Sequence, residues 1–170
     1  VVGAKAFFSA NDGTNGVELW SSDGTSAGTT LVKNIRSGSS SGSPRSLTEF
    51  NGLLMFTAND GISGLELWRS DGTNAGTLVA SSIQSGSGGS LPTALTNVNG
   101  TLFFRANDGG SNNQLWRSEG SASNTTLVKS FPSSLTSTSP LYLTNVNGTL
   151  YFNASDGVDN SELWKSDGSG

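Results

Sequence analysis

The sequence repeats itself every 48 residues, and this period constrains the fold more than any other feature. Tryptophan occurs at positions 20, 68, 116 and 164 and nowhere else. Each tryptophan is the third residue of the unit Glu-Leu-Trp-x-Ser-Asp-Gly, although the third copy begins with Gln114 and has Glu119 in place of the aspartate. A fixed period of about 20 to 50 residues is typical of folds in which identical units stack on their neighbours.

Each unit contains four apolar segments of strand length. In the second unit they span 46–50, 53–58, 65–70 and 77–83. Alternating polarity and many β-branched or aromatic residues indicate strands, while the density of glycine disfavours long helices. The sequence therefore predicts four strands in each complete unit.

The connections between these strands carry distinct turn signals. An Asn-Gly pair joins the first and second strands at 51–52, 99–100 and 147–148, which predicts type I′ hairpins because both residues of that turn take positive φ. An Asp-Gly loop joins the second and third strands, and a Ser-Asp-Gly turn joins the third and fourth. A longer segment rich in serine and glycine leads to the next unit and ends at Pro44, Pro92 and Pro140.

Three tight connections followed by one longer crossover predict an all-β fold, a β-propeller-type array of four-stranded antiparallel blades with about 3.5 repeats. The expected single repeat domain, 1–170, comprises a partial blade 1–36, blades 45–84 and 93–132, and a partial blade 141–170. The first copy starts at its second strand and the last copy stops after its third. We therefore expect a piece of a longer array, or open ends that self-associate, because unpaired strand edges attract further strands.

Composition excludes several classes of protein. The net charge is −4 and no basic cluster exists, so we expect no nucleic-acid partner. No apolar run is long enough to predict membrane insertion. Cysteine and histidine are both absent, which excludes disulfides, thiolate metal sites and Ser/His or Cys/His catalytic pairs.

The repeated unit resembles the ELWxxDGT repeat, which occurs in tandem in large secreted or surface proteins of bacteria. The resemblance rests on the four Trp-containing units, on Ala-Gly-Thr at 27–29 and 75–77, and on Leu-Val-Lys at 31–33 and 127–129. The third copy departs from the motif at Gln114, Glu119 and Ser121, and the fourth has Ser169 in place of threonine. The resemblance implies tandem β-repeats and an extracellular or cell-surface location, but no defined activity.

The tryptophans are the first candidate ligand-binding residues. One per blade could stack on a sugar ring, which predicts a glycan-binding role. Alternatively they pack between blades, because a strand covered on both faces buries both of its side-chain rows. Both interpretations apply to the same four residues, Trp20, Trp68, Trp116 and Trp164.

The Asp-Gly loops are candidate calcium sites. Their aspartates, the neighbouring Asn side chains and backbone carbonyls are hard oxygen ligands of the kind Ca²⁺ prefers. The alternative is structural, because Asp and Asn before Gly are ordinary turn formers that bind their own backbone. No other cofactor is expected, and the aspartates concerned are Asp12, Asp60, Asp108 and Asp156.

We expect a non-enzymatic protein. A glycoside hydrolase of propeller type would need two carboxylates across a sugar bond, and Glu49, the one obvious acid outside the repeated set, has no partner. The leading hypothesis is a module that binds a glycan or protein and serves adhesion, with contacts from loop residues that differ between repeats: Thr14, Ile62, Gly110 and Val158. The alternative is a structural protein whose open ends assemble into rings or filaments.

Overall fold

A computed structural model describes residues 1–110, 113–132, 139–158 and 160–168. These residues form β-strands joined by turns, with a single 3₁₀ turn at Ala122–Asn124. The strands are β1 (Ala6–Asn11), β2 (Val17–Ser22), β3 (Thr30–Lys33), β4 (Arg45–Phe50), β5 (Leu53–Asn59), β6 (Leu65–Ser70), β7 (Leu78–Ser81), β8 (Thr93–Val98), β9 (Thr101–Ala106), β10 (Gln114–Ser118), β11 (Thr125–Lys129), β12 (Leu141–Val146), β13 (Thr149–Ala154) and β14 (Glu162–Ser166).

The strands pair into four antiparallel sheets. Sheet 1 contains β1 to β3, sheet 2 contains β4 to β7, sheet 3 contains β8 to β11 and sheet 4 contains β12 to β14, each in chain order across the sheet. The predicted all-β class, with sheets of three or four sequential strands, is thereby confirmed. Closure of the sheets into a propeller stays a prediction.

The Asn-Gly turns have the predicted backbone conformation. Asn51 has φ of 50° and Gly52 has φ of 79°, and the pairs at 99–100 and 147–148 are nearly identical. The asparagine side chains also connect successive sheets, since Asn51 Nδ2 donates to the carbonyl oxygen of Gly100 at 3.3 Å. Asn99 makes the equivalent bond to Gly148 at 3.3 Å. These turns therefore lie side by side along one edge of the stack.

The strand that begins each later unit is irregular at its start. The pairing register shifts between Arg45 and Thr48 of β4, and it shifts at the equivalent places in β8 and β12. Three residues within these shifts have φ between 53° and 56°: Ser46, Ala94 and Tyr142. The sequence did not predict this feature, because the three residues share no side-chain chemistry.

The apolar core consists of three clusters, each between two successive sheets. Between sheets 1 and 2, Leu19 and Val32 pack against Phe56 and Trp68. Between sheets 2 and 3, Met55 and Leu67 pack against apolar residues of β9. The equivalent positions pack in the same way between sheets 3 and 4. Strand β4 contacts β8, and β8 contacts β12, so the first strands of sheets 2, 3 and 4 are neighbours.

No helix among the described residues has the length and apolar character needed to cross a membrane.

Candidate functional site

The tryptophans lie on β2, β6, β10 and β14, and two of them, Trp68 and Trp164, contact aromatic rings. Trp68 pairs across the sheet with Phe56, and the ring centroids are 6.3 Å apart. Its indole Nε1 donates to the carbonyl oxygen of Ala58 at 3.1 Å, which satisfies the polar atom of a buried ring. Trp164 repeats this pattern with Phe152 at 6.4 Å and with the carbonyl oxygen of Ala154 at 3.0 Å.

Three of the four tryptophans face the preceding sheet. Trp68, Trp116 and Trp164 each pack on the cluster between their own sheet and the one before it. Trp20 belongs to none of these clusters among the described residues, because sheet 1 has no preceding sheet there to receive it. The packing interpretation therefore accounts for three of these side chains, while carbohydrate stacking stays a prediction.

The indole N–H groups differ between the copies. Those of Trp20 and Trp116 are buried, and neither has a hydrogen-bond partner within the described part of the chain. A buried donor without a partner weakens the fold locally. Among the described residues, the indole bond to a backbone carbonyl is therefore made in sheets 2 and 4 and not in sheets 1 and 3.

The candidate calcium ligands lie in separate loops, where their oxygens bind the backbone. Asp12 Oδ1 accepts the N–H groups of Thr14 and Asn15, both at 2.8 Å. Asp12 Oδ2 accepts the amide of Asn15 at 2.7 Å. These bonds hold the pKa of Asp12 below its ordinary value, with the backbone N–H of Asn15 as the largest cause.

The other three loops follow the same pattern. Asp60 Oδ1 accepts the N–H groups of Ile62 and Ser63, while Asp108 and Asp156 each accept the N–H of the residue two positions on. No group of three or more acidic side chains suited to a metal occurs in the ranges that the structure describes. The geometry is that of Asx turns, and the calcium role stays a prediction.

The Ser-Asp-Gly-Thr turn between the third and fourth strands is a closed hydrogen-bond network. Asp71 Oδ1 accepts both the N–H and the hydroxyl of Thr73, and Thr73 Oγ1 accepts the N–H of Gly76 at 2.9 Å. A Cβ on Gly76 would lie 2.1 Å from the Asp71 carboxyl carbon. The glycine shared by the first two copies therefore leaves room for the carboxylate, since the first copy has the same arrangement of Gly28 around Asp23.

The first residue of the repeated motif has a role that sequence reasoning missed. Glu18 is fully buried, and its carboxylate binds the crossover that leads from sheet 1 to sheet 2. Oε2 accepts the N–H of Ile35 at 2.8 Å, and Oε1 accepts the N–H groups of Gly42 at 2.6 Å and Arg36 at 3.4 Å. One side chain therefore holds both ends of an otherwise irregular loop.

The later copies use the same position with different chemistry. Glu66 accepts the N–H of Ser90 at 3.2 Å and the hydroxyl groups of Ser82 and Ser90. Burial raises the pKa of Glu66 above its ordinary value of 4.5, against the opposing effect of these bonds. Gln114 accepts the N–H of Phe131 at 2.6 Å and donates to its carbonyl oxygen at 3.4 Å.

The acid outside the repeated set also has a structural partner. Glu49 Oε1 accepts the N–H of Gly52 at 2.9 Å and so stabilises the hairpin between β4 and β5. One cavity of about 330 Å³ at sheet 4 is lined, among the described residues, by Thr149, Lys165, Ser166 and Asp167, which include a single carboxylate. Neither feature supplies the pair of carboxylates that glycosidic hydrolysis requires.

The loops between the second and third strands, here called the tip loops, expose their variable residues. They connect β1 to β2, β5 to β6, β9 to β10 and β13 to β14. Ile62 is 78% exposed and Val158 is 84% exposed, although both side chains are apolar. Thr14 and Gly110 occupy the equivalent positions and are exposed as well.

Comparisons with protein-family models, with curated proteins and with solved structures gave no match for this chain.

Proposed function

We propose that this chain is a non-enzymatic repeat module that binds a protein ligand through its tip loops. The observation that carries the proposal is the exposure of Ile62 and Val158 at equivalent loop positions. An apolar side chain in water at the apex of a loop contributes nothing to the core, whereas it can be buried by a partner. Loops held by a rigid scaffold are the usual place for such binding residues.

The module is proposed to be part of a β-propeller-type array in an extracellular or surface protein. Successive sheets pack face to face, and the first strands β4, β8 and β12 adjoin one another, as the inner strands of propeller blades do. The location is proposed on the resemblance of the repeat to the ELWxxDGT motif. Adhesion is the process that such a module would serve.

A protein ligand fits the available side chains better than a glycan. Sugar stacking needs an exposed aromatic face, and three of the tryptophans turn theirs toward a neighbouring sheet. Trp20 is the exception, because its outer face lies at the end of the stack. The tip loops offer aliphatic side chains instead, on turns that Asp60 and its counterparts fix through backbone bonds.

The proposal is tested with peptides selected from a displayed library and with an array of defined oligosaccharides. We expect selected peptides to bind, and we expect a chain carrying Ile62→Ser and Val158→Ser to bind them about tenfold or more weakly, which is a loss of about 1.4 kcal/mol. Leu91→Asp is the matched control, because Leu91 is an exposed apolar residue on the crossover between sheets 2 and 3.

Two outcomes would contradict the proposal. One is peptide binding that survives the double substitution at full strength. The other is binding of an oligosaccharide that is lost with Trp20→Ala and unchanged by the loop substitutions, which would favour the glycan hypothesis.

Structural assembly is the second candidate function, and it is favoured by the end of the stack. Leu163 is 76% exposed on a central position of β14. The equivalent leucines of the three preceding units, Leu19, Leu67 and Leu115, are 0% exposed. An interior position has thus become a surface position where the described sheets end.

A further inference from the structure

We infer that two copies of this chain associate head to tail, with the outer face of sheet 4 of one copy covering the outer face of sheet 1 of the other. The outer face of sheet 4, here called the tail face, carries Val146, Tyr151 and Leu163. Val146 is 46% exposed, whereas its counterparts Phe50 and Val98 are buried between sheets. The tail face is therefore an interior surface of the repeat without its usual cover.

The outer face of sheet 1, here called the head face, is the opposite half of the same interface. Ala6, Phe8, Ala10 and Trp20 occupy the positions 48 residues before Leu54, Phe56, Ala58 and Trp68. Those four residues of sheet 2 are buried against sheet 1. On the head face, Phe8 and Trp20 are only half-buried and Ala6 is exposed.

The chain itself shows what fits these two faces. At each of its three internal interfaces, a leucine of the third strand meets a Phe and a Trp of the next sheet: Leu19 meets Phe56 and Trp68, Leu67 meets Phe104 and Trp116, and Leu115 meets Phe152 and Trp164. In the proposed contact, Phe8 and Trp20 of the second copy pack on Leu163 of the first, as the Phe and Trp of each later sheet pack on the leucine of the sheet before it. The occupant argued here is thus a continuation of an interface that the fold already uses three times.

This pairing is heterologous, because the tail face matches the head face and neither matches itself. A heterologous contact forms a ring if the rotation between copies closes, and an open chain of copies if it does not. An isologous dimer would instead pair two tail faces and bring Leu163 against Leu163. The two arrangements respond differently to substitutions on one face, which makes the geometry testable.

The contact between copies is smaller than an internal interface. Sheet 4 has no fourth strand among the described residues, so it lacks the counterparts of Ala80 and Val128. Sheet 1 has no first strand there, so it lacks the counterpart of Leu47. We therefore expect association that depends on concentration rather than a permanent oligomer. It is independent of the tip loops and gives the assembly function a specific partner.

The experiment uses analytical ultracentrifugation of the 170-residue chain and two variants with one acidic residue on each face. Leu163→Asp disables the tail face at an exposed position, and Ala6→Asp disables the head face at another. Far-UV circular dichroism and thermal unfolding verify the fold of each variant, and Phe8→Ser, at a half-buried position of the head face, replaces Ala6→Asp if the latter unfolds. Leu91→Asp, far from both faces, is the matched control.

We expect the unsubstituted chain and Leu91→Asp to associate as concentration rises, and each face variant alone to associate about tenfold or more weakly. An equimolar mixture of Leu163→Asp and Ala6→Asp should form a 1:1 heterodimer, because the intact head face of the first variant binds the intact tail face of the second. The heterodimer should grow no further, because its two outer faces are the disabled ones. The inference is overturned if the unsubstituted chain is monomeric at every concentration, if Ala6→Asp still dimerises alone, or if the mixture stays monomeric. Peptide binding by the tip loops is measured separately on the Leu163→Asp chain, so failure of one proposal leaves the other standing.

Discussion

The most discriminating prediction compares the same substitution, glutamate to glutamine, at two equivalent buried positions. At Glu18 both carboxylate oxygens accept backbone N–H groups, those of Ile35, Arg36 and Gly42. Either orientation of a glutamine would place its NH₂ group against a backbone N–H. At least one buried donor then loses its acceptor, and two donors face each other.

The magnitude follows from the number and kind of bonds lost. A hydrogen bond to a charged group contributes about 1.5 to 3 kcal/mol, and a buried unpaired donor costs about 1 to 3 kcal/mol. We expect Glu18→Gln to lower the free energy of unfolding by about 2 to 3 kcal/mol. In urea this corresponds to a fall of about 1 M in the unfolding midpoint.

Glu66 should tolerate the same change, because its partners include hydroxyl groups. A glutamine there keeps an oxygen for the N–H of Ser90 and turns its NH₂ group to the Ser90 hydroxyl, which can accept as well as donate. Gln114 already occupies this position in the third copy. We expect Glu66→Gln to change the free energy of unfolding by less than about 1 kcal/mol at neutral pH.

The pH dependence gives a second readout of the same pair. Because burial raises the pKa of Glu66, the folded chain keeps a proton that the unfolded chain has lost at pH values just above 4.5. The stability that Glu66 contributes is thus present below that pH and falls as the pH rises through its folded pKa. Glu66→Gln should remove this slope.

Urea titrations of both variants and the unsubstituted chain at several pH values provide the measurement. The reasoning would be refuted if Glu18→Gln were as mild as Glu66→Gln, since the acceptor-only environment of Glu18 would then be irrelevant. It would also be refuted if the pH slope between pH 4.5 and neutrality were the same with and without Glu66.

Three further predictions concern the turns. Gly76→Ala should lower the thermal midpoint by about 2 to 4 °C, because the new Cβ would displace the Asp71 carboxylate. Gly88→Ala is the control and should leave the midpoint unchanged, because the new Cβ would contact only the end of the Gln84 side chain. Thr73 lowers the pKa of Asp71 through its side-chain and backbone bonds. The stability that Asp71 contributes should therefore be lost as the pH falls through its folded pKa. Acid unfolding followed by circular dichroism should show that the Asp71→Asn variant loses less stability over this pH range than the unsubstituted chain. Calcium and a chelator should leave the thermal midpoint unchanged, because the tip-loop aspartates already bind backbone N–H groups. A calcium-dependent rise in the free energy of unfolding, about 2.7 kcal/mol at a hundredfold excess over Kd, would contradict this.

Much of the fold was predictable because the repeat supplies the same signal several times. A 48-residue period, strand-length apolar segments and Asn-Gly pairs together fix the number, order and pairing of the strands. The positive φ values of Asn51, Asn99 and Asn147 follow from local sterics, which act whatever surrounds the turn. Strand order and turn conformation depend mainly on residues that are close in the sequence, and they can therefore be predicted from the sequence alone.

The role of the buried glutamate depends on residues 17 to 24 positions away, and it was missed for that reason. A usable signal did exist. In the second copy, Glu66 alternates with Leu67 and shares a side of the strand with Trp68, which faces sheet 1, so the carboxylate points into a covered surface and requires donors. The change to Gln114 in the third copy preserves the size of the side chain and one acceptor oxygen, which fits hydrogen bonding better than charge. The positive φ at Ser46, Ala94 and Tyr142 had no such signal, because it arises from the irregular pairing at the start of each strand.

The repetition itself indicates where function can reside. Within the described sheets, most of the repeated side chains are used by the scaffold: three tryptophans pack between sheets, Glu18 and Glu66 bind the crossovers, and Asp23 and Asp71 close the turns. A residue required at every copy to build the fold gives little freedom for selective recognition. We therefore propose binding at positions where equivalent residues differ, such as Ile62 and Val158, or at places where the repetition stops and an interior position such as Leu163 is exposed.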